Sequence, residues 1–372
     1  SVEVVKKDSV TGDPLEGVVF GLYAEEDIKN AAGEVIVEKD SLIESGTTDS
    51  AGKLTFQADL PHSLYYVKEI ENKPGYLPND EVYHLDASYT DPTLEVIELS
   101  CEVENQPTIT EFTKTDLTGG QEVEGAKLQI LDKDGNVVEE WVSGKEPHTV
   151  YALAPGEYVL HEEKAPTEQG YVRAEDVPFI VEETGEVQKV EMKDDHTKVS
   201  ISKTDITTGE EIEGAKLQIL DKDGNVVEEW VSGKEHLIEY LPTGEYVLHE
   251  EQAPTEQGYV RAEDVTFGVE ETGEIQKVEM KDDYTKVSIS KTDITDGKEV
   301  QGAKLQIFDK DGKVVEEWTS GEEHLIEYLP TGEYTLHEEA AVDGYVVAND
   351  VAFTVKETGE IQKVEMKDER VM

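Results

Sequence analysis

Cysteine is almost missing from this 372-residue chain: Cys101 stands alone, so no intrachain disulfide can form. Positive charge is scarce as well. Lys and Arg number 33 against 86 Asp and Glu, a net charge of −53. Such a surface repels nucleic acid and anionic membranes, so neither is expected as a partner. No run of 18 apolar residues occurs, which excludes a membrane-spanning helix. The chain opens on "SVEVVKKD" without a signal peptide and carries no C-terminal sorting signal. By itself this fits a cytosolic protein or the mature part of a secreted one. High charge with low hydrophobicity can mark disorder. Here, however, 16 Tyr and 3 Trp accompany regular apolar alternation, and the charges mostly fill the alternate phase. Packed cores are expected.

What the chain has in abundance is repetition. "TKTDLTGGQEVEGAKLQILDKDGNVVEEWVSGKE" returns as "SKTDITTGEEIEGAKLQILDKDGNVVEEWVSGKE" and again as "SKTDITDGKEVQGAKLQIFDKDGKVVEEWTSGEE". The lysines opening these segments are Lys114, Lys203 and Lys291, a period of roughly 90 residues that suits one small domain per repeat. The first hundred residues are a divergent copy. There Lys6, Gly12 and Gly17 take the places of Lys203, Gly209 and Gly214, and "LYYVKEIENKPGYL" parallels "YVLHEEKAPTEQGYV". Four tandem domains follow: 1–106, 107–196, 197–284 and 285–372. The joins contain no Gly or Ser run, so a semi-rigid, monomeric rod is expected.

Each repeat reads as all-β. "AKLQILD" and "NVVEEWV" flank Lys-Asp-Gly, a hairpin signal, and "GEYVLHEE", "VPFIVEE" and "VQKVEMKD" are further strands. No window keeps a helical period. Seven or so short strands in about 90 residues point to a β-sandwich.

Strand phase then exposes an oddity. In "YVLHEE", Tyr158, Leu160 and Glu162 share a face, so a carboxylate continues an apolar row. In "VSISKTD", Val199 and Ile201 share theirs with Lys203; in "VEMKDD", Val190 and Met192 share theirs with Asp194. Every domain therefore has polar residues in core phase. The sets are Lys6, Glu69 and Asn105; Lys114, Glu162 and Asp194; Lys203, Glu250 and Asp282; Lys291, Glu338 and Asp368. Lys7, Glu163, Asp195 and Asp283 adjoin these positions, and phase alone separates Lys6 from Lys7 and Glu162 from Glu163. An isolated buried charge costs many kcal/mol, so it is paired or neutralised. One solution is a buried Lys–Asp ion pair with a hydrogen-bonded Glu. The other is chemistry. Desolvation lowers a lysine pKa and raises that of an acid, making a nucleophilic amine beside a neutral carboxyl or amide, with the Glu as proton shuttle. The product would be a side-chain amide, with loss of water from Asp or ammonia from Asn.

The pattern K-T-D-x-x-x-G-x-x-x-x-G-A, followed by Y-x-L-x-E-x-x-A-P-x-x-x-G-Y, resembles the Cna B-type (SpaA-like, prealbumin-like) domains of Gram-positive surface proteins and pilins, including VaFE-like repeats. The resemblance covers all four domains. It implies β-sandwiches of inverse immunoglobulin type, each holding an autocatalytic isopeptide bond. The linked residues would be Lys6 with Asn105, Lys114 with Asp194, Lys203 with Asp282 and Lys291 with Asp368, promoted by Glu69, Glu162, Glu250 and Glu338. It further implies a stalk on the extracellular, cell-wall-anchored surface of a Gram-positive bacterium, anchored through a segment outside this chain. An alternative is an adhesin in which the divergent first domain, with its insertion near "EEDIKNAAGEVIVEKDSLIESG", binds a host protein or glycan. A pilin subunit is a third reading, weakened by the lack of a clear pilin-type lysine motif. The fourth domain departs from the pattern, with "AAVDGY" in place of "KAPTEQGY".

Other motifs carry less. "HEE" at His161, His249 and His337 lacks the second histidine of a zinc helix and lies on a strand, so it reads as solvent-face histidine. "DKDG" from Asp132, Asp221 and Asp309 has its glycine at the fourth place, not the sixth, and reads as a hairpin turn rather than a calcium loop. Trp141, Trp230 and Trp318 read as core or joint packing, and Cys101 as an inert buried thiol. No metal, cofactor or turnover enzyme is expected.

Overall fold

The computed structural model describes residues 1–88 and 96–372. The chain forms two compact units. One comprises Ser1–Pro166 with Arg173–Asp195, the other Thr167–Val172 with His196–Met372. Among the described residues, helix is confined to two 3-10 turns, Thr167–Gln169 and Thr255–Gln257, both in the "APTEQGY" turn.

The third repeat shows the plan. One sheet orders His236–Glu239, Lys198–Asp205, Ile275–Tyr284 and Tyr259–Val260; the other orders Val226–Val231, Lys216–Leu220, Gly244–Gln252 and Val265–Val269. Period-two alternation turns Val199, Ile201, Leu217, Ile219, Leu248 and Met280 into the space between the sheets, where they are buried together. The "DKDGN" segment is the expected hairpin turn. Asp221 Oδ1 accepts the amides of Asp223 and Asn225, each at 2.9 Å, and Gly224 takes φ 81°. The first and last strands lie side by side and parallel, with Lys203 opposite Met280 and Asp205 opposite Asp282.

The fourth domain repeats this plan. The short strand at Tyr259–Val260 shrinks there to a single bridge between Tyr345 and Arg370, where "AAVDGY" shortens the turn. In the first domain, Val2–Asp8 runs parallel to Leu99–Asn105, and Val19–Ala24 lies between Leu42–Thr47 and Leu64–Glu71. Its insertion is a small hairpin of Ile28–Lys29 with Val35–Val37. Cys101 shares the inward face of its strand but is only half-buried at the core edge, less enclosed than its phase suggested. The strand stays paired with Val2–Asp8 throughout, but cover is thinner at its start: Leu99 and Cys101 are partly exposed, whereas Val103 and Asn105 are buried.

Within the second unit, the third and fourth domains meet through backbone. Thr285 N–H donates to Gly258 O at 2.9 Å, and Tyr328 N–H donates to Thr285 O at 3.0 Å. Tyr328, at φ 60°, stacks on Tyr284 at 4.1 Å and donates its hydroxyl to Asp205 at 2.7 Å. The first unit contains the same joint in its own terms. Thr108 N–H donates to Gly75 O, and Ala152, also at positive φ, donates to Thr108 O, both at 2.9 Å.

Candidate functional site

Three strands supply the polar residues of each domain. In the third repeat, Lys203 comes from the first strand, Asp282 from the last, and Glu250 from Gly244–Gln252 of the facing sheet. All three are buried, at 2%, 0% and 0% exposure. Because Asp282 lies opposite Asp205, Lys203 leans one same-face step along the ladder to reach it. Its four-methylene stem spans that diagonal.

Glu250 turns inward because it continues the alternation of Tyr246 and Leu248, and just beyond it the strand bulges. The register passes from Lys216 opposite Gln252 to Leu217 opposite Glu250, leaving Glu251 as the extra residue. The same shift occurs at Glu162, at Glu338 and, in the first domain, at Glu69. A bulge of this kind breaks alternation beyond the glutamate, so that Glu251 and Gln252 are both exposed. Ordinary alternation already sets the two consecutive glutamates on opposite faces: Glu162 is buried, whereas Glu163 is exposed beside Lys127.

The structure brings all twelve sequence-derived residues into four clusters. Lys114, Lys203 and Lys291 Nζ contact Oδ1 of Asp194, Asp282 and Asp368. They lie 3.0, 3.1 and 3.1 Å from Oε2 of Glu162, Glu250 and Glu338. Each glutamate Oε2 also accepts a backbone amide, from Ala174, Ala262 or Ala348, at 2.6–2.7 Å. In the first domain Lys6 Nζ contacts Asn105 Oδ1 and lies 3.3 Å from Glu69 Oε2. Asn105 Nδ2 donates to Glu69 Oε2 at 2.9 Å and to Asn72 Oδ1 at 2.9 Å. The neighbours stay outside: Lys7 pairs with Glu102, and Asp283 with Lys286.

Burial sets the electrostatics. It pushes the carboxyls of Asp194 and Asp282 up to about 7 against the opposing pull of their lysines, and the adjacent glutamate adds to the rise. Burial likewise raises Asp368. It lowers Lys6 to about 8, outweighing Glu69. Each aspartate cluster also holds two buried oxygens without a hydrogen-bond partner, the aspartate Oδ2 and the glutamate Oε1. Both are acceptors when ionised. A single proton on the aspartate gives the pair one donor and one acceptor. The first domain has no such orphans among its described residues, because the Asn105 amide carries its own donors.

Sequence reasoning missed Asn72, the amides of Ala174, Ala262 and Ala348, and the joint aspartate Asp205. Asn72 had a readable signal. It falls three residues after Glu69, where the other domains have Ala165, Ala253 and Ala341. The remaining motifs stay peripheral. His161, His249 and His337 are partly exposed and pair with Asp176, Asp264 and Asp350. Trp141, Trp230 and Trp318 pack on the core edges and stack on His148, His236 and His324 at 4.4–4.5 Å. Burial raises the Cys101 thiol to about 11, which disfavours the reactive thiolate.

Sandwiches whose first and last strands run parallel and share a buried polar cluster define a multidomain, prealbumin-like all-β protein. A family model described as "SpaA: Prealbumin-like fold domain" matches residues 1–98, 108–196, 197–284 and 285–370, and the chain belongs to this family. Among solved structures it is similar to the Bacillus anthracis TIE protein, at 22% identity over 100% of this chain and 74% of that one, with a TM-score of 0.43. It is also similar to BcpA, the major pilin subunit of Bacillus cereus (16% identity, 71% of this chain, 99% of that one, TM-score 0.31). A third is a single-site mutant of the shaft pilin SpaA of Lactobacillus rhamnosus GG (13% identity, 71% and 98%, TM-score 0.21). No curated protein matches the chain.

Proposed function

We propose that each domain closes its own isopeptide bond, and that the chain is a stalk segment of an extracellular, cell-wall-anchored surface protein of a Gram-positive bacterium. The observation that carries this reading is the fourfold burial of a lysine against a carboxyl or amide, with a glutamate touching the lysine. In the aspartate domains the neutral amine attacks Cγ. The new C–N bond replaces the C–OH bond, and the amine proton passes through the glutamate to the departing hydroxyl, which leaves as water. In the first domain the same path ends in ammonia from Asn105. The bond removes the ionisable pair from the core for good. The only chemistry is one turnover per domain, and the lasting product is a mechanical tie between first and last strands.

Intact-protein mass spectrometry tests the reading. The chain should weigh less than its sequence by three waters and one ammonia. A mass equal to that of the unmodified sequence would overturn it.

A further inference from the structure

We infer that Asn72 selects an asparagine acceptor in the first domain and holds its leaving nitrogen, which makes it the positioning residue for ammonia release. The inference rests on the isopeptide reading above and adds a specificity rule to it.

Hydrogen-bond supply and demand carry the argument. Asn72 Nδ2 donates to Tyr76 O, and Lys73 N–H donates to Asn72 Oδ1 at 2.8 Å. The side-chain amide is thereby fixed with its oxygen as the acceptor toward Asn105. Asn105 Nδ2 meets that oxygen with one N–H and Glu69 with the other. Its Oδ1 is left to receive Lys6 Nζ. Two donors meet two acceptors, and the amide has one satisfied orientation.

The other three domains have alanine at this place, and Ala165 and Ala253 are buried. A protonated aspartate offers one hydrogen, and there one acceptor, the glutamate Oε1, needs it. The pairings Asn with Asn and Asp with Ala therefore balance, whereas the mixed pairings do not. An aspartate at position 105 beside Asn72 would leave two acceptors competing for one hydrogen. Asn105 beside an alanine at position 72 would leave a buried N–H without an acceptor. Either mismatch loosens the acceptor carbon from its aim at Lys6.

In the reaction Lys6 Nζ bonds to Asn105 Cγ, and Cγ–Nδ2 breaks. The proton lost from Nζ travels through Glu69 to Nδ2, which departs as ammonia. Asn72 keeps Nδ2 on the Glu69 side throughout, so the proton reaches the atom that must leave.

The test is a double-mutant cycle in the full chain: wild type, Asn72→Ala, Asn105→Asp, and both together. Protein is harvested at successive times after a pulse of expression, and the fraction of peptide linking Lys6 to position 105 is read by mass spectrometry. Each single variant should link about tenfold more slowly than wild type. The double variant should recover most of that loss and now release water instead of ammonia. The links at Lys114, Lys203 and Lys291 in the same molecules report folding. Asn72→Ala linking at the wild-type rate, or a double variant no faster than Asn105→Asp alone, would overturn the role of Asn72. Absence of the Lys6–Asn105 link from wild type would instead overturn the isopeptide reading of this domain, and the inference with it.

Discussion

Replacing Glu250 with alanine should unlock the third domain alone, and the length released can be worked out in advance. Lys203 and Asp282 are 79 residues apart in sequence and sit on neighbouring strands. With the bond closed, force entering at Lys198 passes from Lys203 straight to Asp282, and the loop between them never bears load. Without it the loop unspools by about 270 Å at roughly 3.4 Å per residue. Single-molecule pulling of the variant should show one new step of that size, absent from wild type. The same change should lower stability. In the chain-entropy description of a cross-link, a loop of this length corresponds to about 4–5 kcal/mol. For a domain this small that is a fall of roughly 20–30 °C in Tm. Glu251→Ala is the control, because that side chain is exposed on the outer side of the bulge. Wild-type molecules that already release such steps would refute the reasoning, as would a Glu250→Ala chain that releases none.

Two further expectations follow from geometry and charge. The reactive state of the aspartate clusters, neutral amine with protonated acid, holds as many protons as the ion pair. Bond formation in the second and third domains should therefore fall as pH drops below about 7, where the cluster takes up one more proton, and be flat above it. The first domain should instead gain rate as pH rises through about 8, following Lys6 alone. Timed linkage in chains shifted to set pH after cell-free synthesis checks this, and identical profiles in all domains would refute it. At the joint, a Cβ on Gly258 would fall 2.2 Å from Tyr328 O, at a φ of +82°. Gly258→Ala should therefore speed hydrogen exchange at the Thr285 and Tyr328 amides by roughly tenfold or more while leaving the isopeptide bonds intact.

Much of this architecture was legible because a strand keeps a strict period of two. Val199, Ile201 and Lys203 announce one face by simple counting, and so do Val190, Met192 and Asp194. The repeat supplied the rest of the organisation, since the same lysine, glutamate and acid recur at fixed offsets. What counting could not reach were features made by irregular backbone or by neighbours distant in sequence. The bulge at Glu251 exists only once the partner strand is in place. Tyr328 takes a left-handed backbone because a joint needs it, and its hydroxyl finds Asp205 some 123 residues earlier. Asn72 escapes strand counting because its partner, Asn105, lies 33 residues away. Cys101 followed the phase rule but is only half-buried, because the core covers its strand fully only toward the C-terminal end.

The parallel pairing of first and last strands also bears on how such a chain can change over generations. A domain whose first and last strands run the same way is entered at one end and left at the other. A duplicated copy can therefore be spliced in after its parent without a returning segment. Where the second domain passes to the third, His196 ends one last strand and Lys198 begins the next first strand, with Thr197 alone between them. Unequal recombination at such a junction adds or removes a whole folded module. Domain number becomes a trait that selection can adjust one copy at a time, with no new fold to invent.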